Sequence, residues 1–334
     1  MKTTVRYTFL VVIMIIAVLT QVSEHELFAH SYFQFFVYIA PYLFITGSVM
    51  TVYYGYKARF DRMFWFAFIM ILTLSSFKSV VNFFSEAPKK QPGSIVTIST
   101  LNVAQLKYTK DDISAVAKDI LATNPDIICL QEVGIKENWT NKKEVGKKMA
   151  DAFKMPYYSF SREDNNIYGL AIFSKLPILE SEEIFLPTSR MNGIVLYTIQ
   201  TKERRKLSLV NYHLSSYNLA NYFVHDNLGL DSIYKEQLEE IEMINNLKTK
   251  ANSYIQVGDM NCPAYGYNYN QLSQKLHDSF YCSSYEYGPS LSNWLLPWRI
   301  DGHFYNKGVN CIDFENVGTS TSDHKIQVGH YQIF

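Results

Sequence analysis

The chain has 334 residues, with 31 Lys and Arg balanced by 31 Asp and Glu, 48% hydrophobic residues and only 19% charged ones; this is enough for one large domain with a sizeable core plus additional segments. Its four cysteines, Cys129, Cys262, Cys282 and Cys311, include no CxxC pair, which argues against a structural zinc site. Residues 94–334 hold 23 Lys and Arg against 27 Asp and Glu, a net charge of −4 that counts against nucleic acid as the partner.

Three apolar stretches open the chain, at about residues 7–22, 32–54 and 63–84. A membrane-spanning helix needs roughly 17–25 mostly apolar residues, so the second and third fit and the first is short. Lys2 and Arg6 would suit a signal peptide, but Gln21-Val22-Ser23-Glu24 offers no small-x-small cleavage site. Residues 1–84 are therefore expected to form an anchor of three transmembrane helices. Lys57, Arg59 and Arg62 separate the second stretch from the third, while the first connection holds Glu24 and Glu26 and no Lys or Arg. The positive-inside rule then puts the N-terminus and residues 55–62 in the cytoplasm and the domain after Phe84 outside it, in a multi-pass protein of the cytoplasmic membrane. Lys89 and Lys90 run weakly against that assignment. Residues 85–93, with two prolines, read as a linker to a catalytic domain at 94–334.

Beyond the linker, β-branched runs alternate with amphipathic segments. Residues 95–102 read as a strand, 111–121 as a helix, and 126–130 as a short buried strand around Cys129. Further strands are expected at 169–173, 193–200, 207–212, 253–257 and 299–305. Tyr234, Leu238, Ile241 and Ile244 fall at helical spacing. Cys262, Cys282 and Cys311 fall in loop-like sequence, where a disulfide among them is open in an oxidising compartment. Asn102, Glu132, His213, Asp259 and Asn261 each stand just past an apolar run. Any one of them alone reads more naturally as a turn former.

The ordered set is more specific. It comprises Leu101-Asn102-Val103, Gln131-Glu132-Val133, residues 168–175 (YGLAIFSK), Asn211-Tyr212-His213-Leu214, Gly258-Asp259-Met260-Asn261, Arg299-Ile300-Asp301 and Ser322-Asp323-His324. In identity, order and spacing this set resembles the endonuclease/exonuclease/phosphatase superfamily over about residues 94–334. The resemblance implies an α/β fold of the DNase I-like kind, a two-layer β-sandwich flanked by helices with the site at one end. It also implies a metal-dependent phosphoric ester hydrolase using Mg²⁺ (or Mn²⁺). Glu132 would be the main metal ligand, with Asn102 in support and Asp323 near the metal. Asp259 would orient or deprotonate the attacking water, and Asn261 would hold a phosphate oxygen. His213 and His324 would contact the scissile phosphate, Asp301 would orient His324, and Tyr168 would either touch phosphate or pack. His303 departs from the aromatic residue common near this motif, so packing and function both stay open for it.

The donor types match the reaction. A hard cation held by carboxylate and amide oxygens neutralises an anionic ester, a carboxylate positions water in line, and cationic groups stabilise the charged transition state. His213, in an Asn-x-His-Leu context, is similar to the sphingomyelinase, inositol-phosphatase and DNase I branches. The layout of membrane helices followed by such a domain is similar to that of VanJ-type teicoplanin-resistance proteins, which implies a phosphorylated lipid such as a polyprenyl pyrophosphate. The apolar run Trp294-Leu295-Leu296-Pro297-Trp298 is expected either to enter the bilayer interface or to pack in the core. The partners expected are the lipid bilayer and a lipid phosphate, pyrophosphate or phosphodiester, with an extracytoplasmic nuclease as the alternative.

Overall fold

A computed structural model of the chain describes residues 2–23, 31–85, 94–109, 112–134, 142–161, 168–184, 192–216, 230–283, 285–291 and 298–334. The N-terminal part contains α1 (Lys2–Val22), α2 (Ser31–Tyr56), α3 (Phe60–Leu72), α4 (Leu74–Lys78) and the short strand β1 (Val81–Asn82). Leu10, Ala17, Leu43, Phe66 and Ile69 pack these helices together, while Val11, Ile15, Val49, Val52, Phe64 and Ile71 point outward.

The expected three-span anchor is corrected here. Among the described residues one helical segment, Phe36–Tyr56, is long and apolar enough to cross a membrane, and the apolar part of α1 (Leu10–Val22) is shorter. The third stretch does not stay helical. α3 covers 13 residues, about 20 Å at 1.5 Å per residue, against the roughly 30 Å of a hydrocarbon core. Thr73 ends it, and the hydroxyls of Thr73, Ser76 and Ser79 bond back to the carbonyls of Ile69, Thr73 and Ser76. Such local bonds offer the backbone an alternative to continuing the helix. The chain then leaves as β1, which pairs antiparallel with β11 (Glu286–Tyr287) of the following domain. Part of the apolar stretch is thus sheet, used to join the two parts of the chain.

The domain that follows is built on two six-stranded sheets. In one, β2 (Ser94–Asn102) and β3 (Ile127–Gly134) run parallel at the centre. They are flanked by β5 (Tyr168–Ser174) and β4 (Tyr157–Phe160) on one side and β14 (Ile326–Ile333) and β13 (Val309–Val317) on the other. In the second sheet, β8 (Lys206–His213) and β9 (Ser253–Asp259) run parallel. They are flanked by β7 (Gly193–Gln200) and β6 (Ile178–Ile184), and by β12 (Asp301–Tyr305) and β10 (His277–Asp278).

The near-continuous apolar runs of these strands follow from burial on both faces. Side chains alternate across a strand, so Ile127 and Cys129 enter the space between the sheets while Ile128 and Leu130 face outward. Likewise Leu207 and Leu209 face the inter-sheet core, and Val210 and Tyr212 the other side. The outer face of the first sheet is covered by α5 (Ile113–Leu121), through Val116, Ala117 and Ile120, and by α6 (Lys142–Phe153), through Met149, Ala150 and Phe153. Ile241 and Ile244 of α7 (Leu230–Asn245) cover the second sheet. The expected two-layer β-sandwich flanked by helices is the fold. Asp112 starts α5 as its N-cap, its carboxylate accepting the Ser114 N–H at 2.9 Å. All four cysteines are buried free thiols.

Candidate active site

Chain direction collects the polar strand ends at one edge of the sandwich. β2, β3, β8 and β9 all finish there. β12 starts there, with Asp301 opposite Asp259, and β14 starts there beside the end of β2. Two local irregularities aim the side chains. Glu132 lies at a register shift between β3 and β5 with φ +50°, a left-handed backbone uncommon for a residue with a Cβ. Gly258 has φ +150°, and a Cβ there would lie 1.9 Å from the Tyr212 carbonyl oxygen. Only glycine fits between β8 and β9 immediately before Asp259.

Six of the expected residues meet in one cluster. The Asn102 amide N–H group donates to Glu132 Oε1 at 3.1 Å and to Asp259 Oδ2 at 2.9 Å. His213 Nε2 lies 3.7 Å from both of those carboxylates. His324 Nδ1 is 2.9 Å from Asp301 Oδ2, and its Nε2 is 3.9 Å from Asp259 Oδ2. Asn261, at φ +50°, stands at the rim: its N–H donates to Asp259 Oδ1 at 2.8 Å and its side-chain amide to the Leu214 carbonyl at 2.8 Å. It thereby ties the Asp259 loop to the residue following His213.

The remaining expectations fall differently. Asp323 is exposed and reaches the cluster only through its charge on His324. Tyr168 begins β5, but its side chain, like Trp294, lies outside the described residues. His303 is a core residue. It is fully buried, its Nδ1 is 2.9 Å from the Tyr331 hydroxyl, and burial lowers its pKa to about 3, so it stays neutral. Gln105 was not legible beforehand. Its amide donates to Glu132 Oε2 at 3.4 Å from a left-handed turn at residues 104–106 that has no composition signal.

Burial and charge set the protonation pattern. Burial, then repulsion by Asp301, raises Asp259 from 3.8 to about 6, against the pull of His324 and His213. Burial alone would lower the pKa of His324, but Asp301 and Asp259 more than offset it and push it up to about 10. His324 is therefore an imidazolium at neutral pH, held between two carboxylates.

The donor set fits a hard divalent cation. Carboxylate oxygens from Glu132, Asp259 and Asp301 converge there, with Asp259 and Asp301 oxygens within 4.8 Å of each other and of His324; a bound cation would lie on the carboxylates, since the imidazolium form of His324 offers no lone pair. The Asn102 oxygen also accepts the Ala104 N–H at 2.9 Å, so this side chain bridges the carboxylates through its N–H group.

The N-terminal helices meet this end of the sandwich at three joints. Trp298 Nε1 donates to the Tyr38 carbonyl at 3.0 Å, with the two rings edge to face at 4.9 Å. Tyr265 packs on Val37 and Ala40, and Gln21 donates to its hydroxyl at 2.5 Å. Arg299, fully buried, donates from Nε to the Ser79 carbonyl at 3.1 Å, forks onto Asp278 at 3.1 and 2.6 Å, and stacks 4.5 Å over Phe280. Trp298 therefore packs against α2, while residues 292–297 of that run lie outside the described residues.

A two-sheet sandwich with a buried carboxylate–histidine cluster at the C-terminal ends of its parallel strands defines a class of phosphoric ester hydrolases. The sequence from 99 to 324, more than half of the chain, matches that class, and the chain belongs to the Endonuclease/Exonuclease/phosphatase family. No curated protein matches the sequence. Among solved structures, the chain is similar to an endonuclease/exonuclease/phosphatase from Beutenbergia cavernae (TM-score 0.56, 15% identity, 72% of each chain). It is also similar to a humanized D. rerio TDP2 (TM-score 0.55, 20% identity, 71% of this chain and 99% of the other). The human Nocturnin catalytic domain aligns with TM-score 0.50 at 17% identity, over 75% of this chain and 100% of that one. At these identities the likeness is one of fold.

Proposed function

We propose that this chain is a metal-dependent phosphoesterase that works at a membrane surface on a lipid-borne phosphate, pyrophosphate or phosphodiester. The observation that carries the reading is the seat of the apolar helices on the active-site end of the sandwich, through Tyr38–Trp298, Gln21–Tyr265 and Ser79–Arg299. A substrate approaching the cluster then meets the membrane-facing part of the chain, and the −4 charge of residues 94–334 disfavours a polyanion.

Glu132, with Asn102 beside it, would hold Mg²⁺ or Mn²⁺, which when bound neutralises charge on the phosphate oxygens. Asp259, with its carboxyl near 6, orients a water and takes its proton as the water oxygen bonds to phosphorus and the ester oxygen leaves. The His324 imidazolium, kept charged by Asp301, donates to a phosphate oxygen, and His213 and Asn261 add polar contacts. The resemblance also assigns Tyr168 to the phosphate and Asp323 to the neighbourhood of the metal; Asp323 is exposed and acts on the cluster through its charge on His324.

Helix α2 also supports a location for the domain outside the cytoplasm. The joints lie near Tyr38, whereas Lys57, Arg59 and Arg62 lie past the other end of α2, about 28 Å away at 1.5 Å per residue. The positive-inside rule puts that basic end in the cytoplasm, and a catalytic domain on the opposite side requires residues 60–79, α3 and α4 together, to run back along α2 to the Ser79 joint.

The test is a substrate panel with the purified full chain in detergent, with Mg²⁺ or Mn²⁺ and with excess chelator. Lipid phosphates and phosphodiesters should be hydrolysed faster than DNA or RNA, and chelator should stop turnover. Faster cleavage of DNA or RNA would replace this reading with a membrane-tethered nuclease. A reporter enzyme fused after Phe334 should be active only outside the cytoplasm; activity inside would reverse the orientation.

A further inference from the structure

Helix α7 turns Tyr234, Ile241 and Ile244 inward, and two polar side chains, Gln237 and Glu240, are buried on the same face. A helix covering a sheet needs only apolar residues on that face. A buried amide or carboxylate costs free energy unless its hydrogen bonds are made. Here the partners belong to the two loops that carry site residues. The Gln237 side-chain amide donates to the Ser215 carbonyl at 2.9 Å and to the Met260 carbonyl at 3.0 Å. The Glu240 carboxyl group accepts the Ser215 N–H at 2.7 Å and the Ser215 hydroxyl at 2.9 Å.

Ser215 follows His213 by two residues, and Met260 stands between Asp259 and Asn261. One side-chain amide on α7 therefore spans the loops that leave β8 and β9. The loops are also tied to each other: the Leu214 N–H donates to the Asp259 carbonyl at 3.0 Å, and the Asn261 side chain to the Leu214 carbonyl at 2.8 Å. The Met260 N–H donates to the Ile300 carbonyl at 2.7 Å, so the same loop reaches the residue before Asp301. Asn268, buried on α8 (Tyr267–Leu272), donates to the Gln237 amide oxygen. That bond turns the Gln237 N–H group towards the two carbonyls.

We propose that Gln237 and Glu240 are positioning residues of this active site. From α7 they hold the His213 loop and the Asp259–Asn261 loop in the mutual placement that lets one phosphate meet all three side chains. Both act through Ser215 and Met260. A site keeps its productive geometry when such supporting bonds lock the side chains that do the chemistry. The inference rests on the phosphoesterase reading above and is independent of whether the substrate is a lipid.

The experiment compares wild type with Gln237→Met, Glu240→Leu and Glu240→Gln as full chains in detergent, well below their melting temperatures. The probes are hydrolysis of bis(p-nitrophenyl) phosphate with Mg²⁺, inhibition by inorganic phosphate, and backbone hydrogen exchange across residues 212–216 and 258–262. Gln237→Met keeps the length of the side chain and removes both donors. It should lower kcat/KM by about ten- to hundredfold, as small misplacements of reacting groups do. Displacement of His213 and Asn261 should also weaken phosphate inhibition by about tenfold, and exchange should rise in both loops together. Partial unfolding lowers the rate but leaves the inhibition constant unchanged, so that constant separates positioning from loss of structure. Glu240→Gln can still accept the Ser215 N–H and should recover most of what Glu240→Leu loses. If Gln237→Met does not fold, the two Glu240 variants carry the test. Unchanged phosphate inhibition in Gln237→Met and Glu240→Leu would overturn the proposal, as would equal losses in Glu240→Leu and Glu240→Gln. If wild type hydrolyses no phosphoester while exchange rises in both loops of Gln237→Met, the clamp stands and the phosphoesterase reading falls.

Discussion

Replacing Asp301 by Asn tests the electrostatic core of the site. Asp301 Oδ2 is 2.9 Å from His324 Nδ1 in a buried setting. The rise of the His324 pKa from 6.5 to about 10 corresponds to about 5 kcal/mol in favour of the imidazolium, at 1.36 kcal/mol per pH unit. Asp301 is the largest favourable contributor, ahead of Asp259. The amide oxygen of Asn can still accept from Nδ1, so ring orientation survives while the charge is lost. The expected result is a fall in kcat of about 10² or more, in the range of a lost acid–base contribution. The alkaline limb of the pH–rate profile should also move down from near 10 towards neutrality. Hydrolysis of bis(p-nitrophenyl) phosphate from pH 6 to 10.5, with circular dichroism as a check on folding, measures both. A variant with an unmoved alkaline limb and a kcat within about threefold of wild type would refute the assignment of His324 as a charged donor.

Three further outcomes follow from other parts of the molecule. Glu132→Gln should fold normally and lose most activity at every Mg²⁺ or Mn²⁺ concentration; turnover like wild type, or wild-type activity in excess chelator, would exclude Glu132 as the metal ligand. Glu240 is buried while accepting the Ser215 N–H at 2.7 Å and the Ser215 hydroxyl at 2.9 Å, and burial raises it from 4.5 to about 7. A folded pKa above the unfolded one gives stability that is fully present below pH 4.5 and lost as pH rises through 7, by about 3 kcal/mol. Glu240→Gln should flatten the melting temperature between pH 5 and 8, and parallel curves for variant and wild type would contradict it. Arg299→Met strands the Asp278 charge and should cost about 3–5 kcal/mol. Pairing it with Asp278→Asn should restore part of that, whereas additive losses within about 0.5 kcal/mol would show no coupling.

Much of the site was legible in the sequence because its residues follow apolar runs, and strand direction alone decides which ends meet. β7 was expected at its observed limits of 193–200, and β2 and β8 within one residue at each end. Their β-branched residues are buried on both faces, so pattern and burial agree. α6 and β6 were not foreseen. α6 is lysine-rich, with Met149, Ala150 and Phe153 as the side chains that cover the sheet. β6 is an exposed edge with acidic residues, held by pairing with β7 and not by its own burial.

The apolar N-terminal stretches show what composition determines and what it leaves to the tertiary structure. Hydropathy by itself marked residues 1–84 as a helical, lipid-compatible segment, because it sums local transfer preferences. It could not tell where a helix would stop, since Thr73 and the serines after it compete for backbone carbonyls and Val81–Asn82 finds a partner more than two hundred residues away in β11. Nor could it place Tyr38 beside Trp298, or Arg299 under Ser79. Each of those contacts joins segments distant in sequence, and only the seating of the N-terminal helices on the sandwich brings them within hydrogen-bonding range.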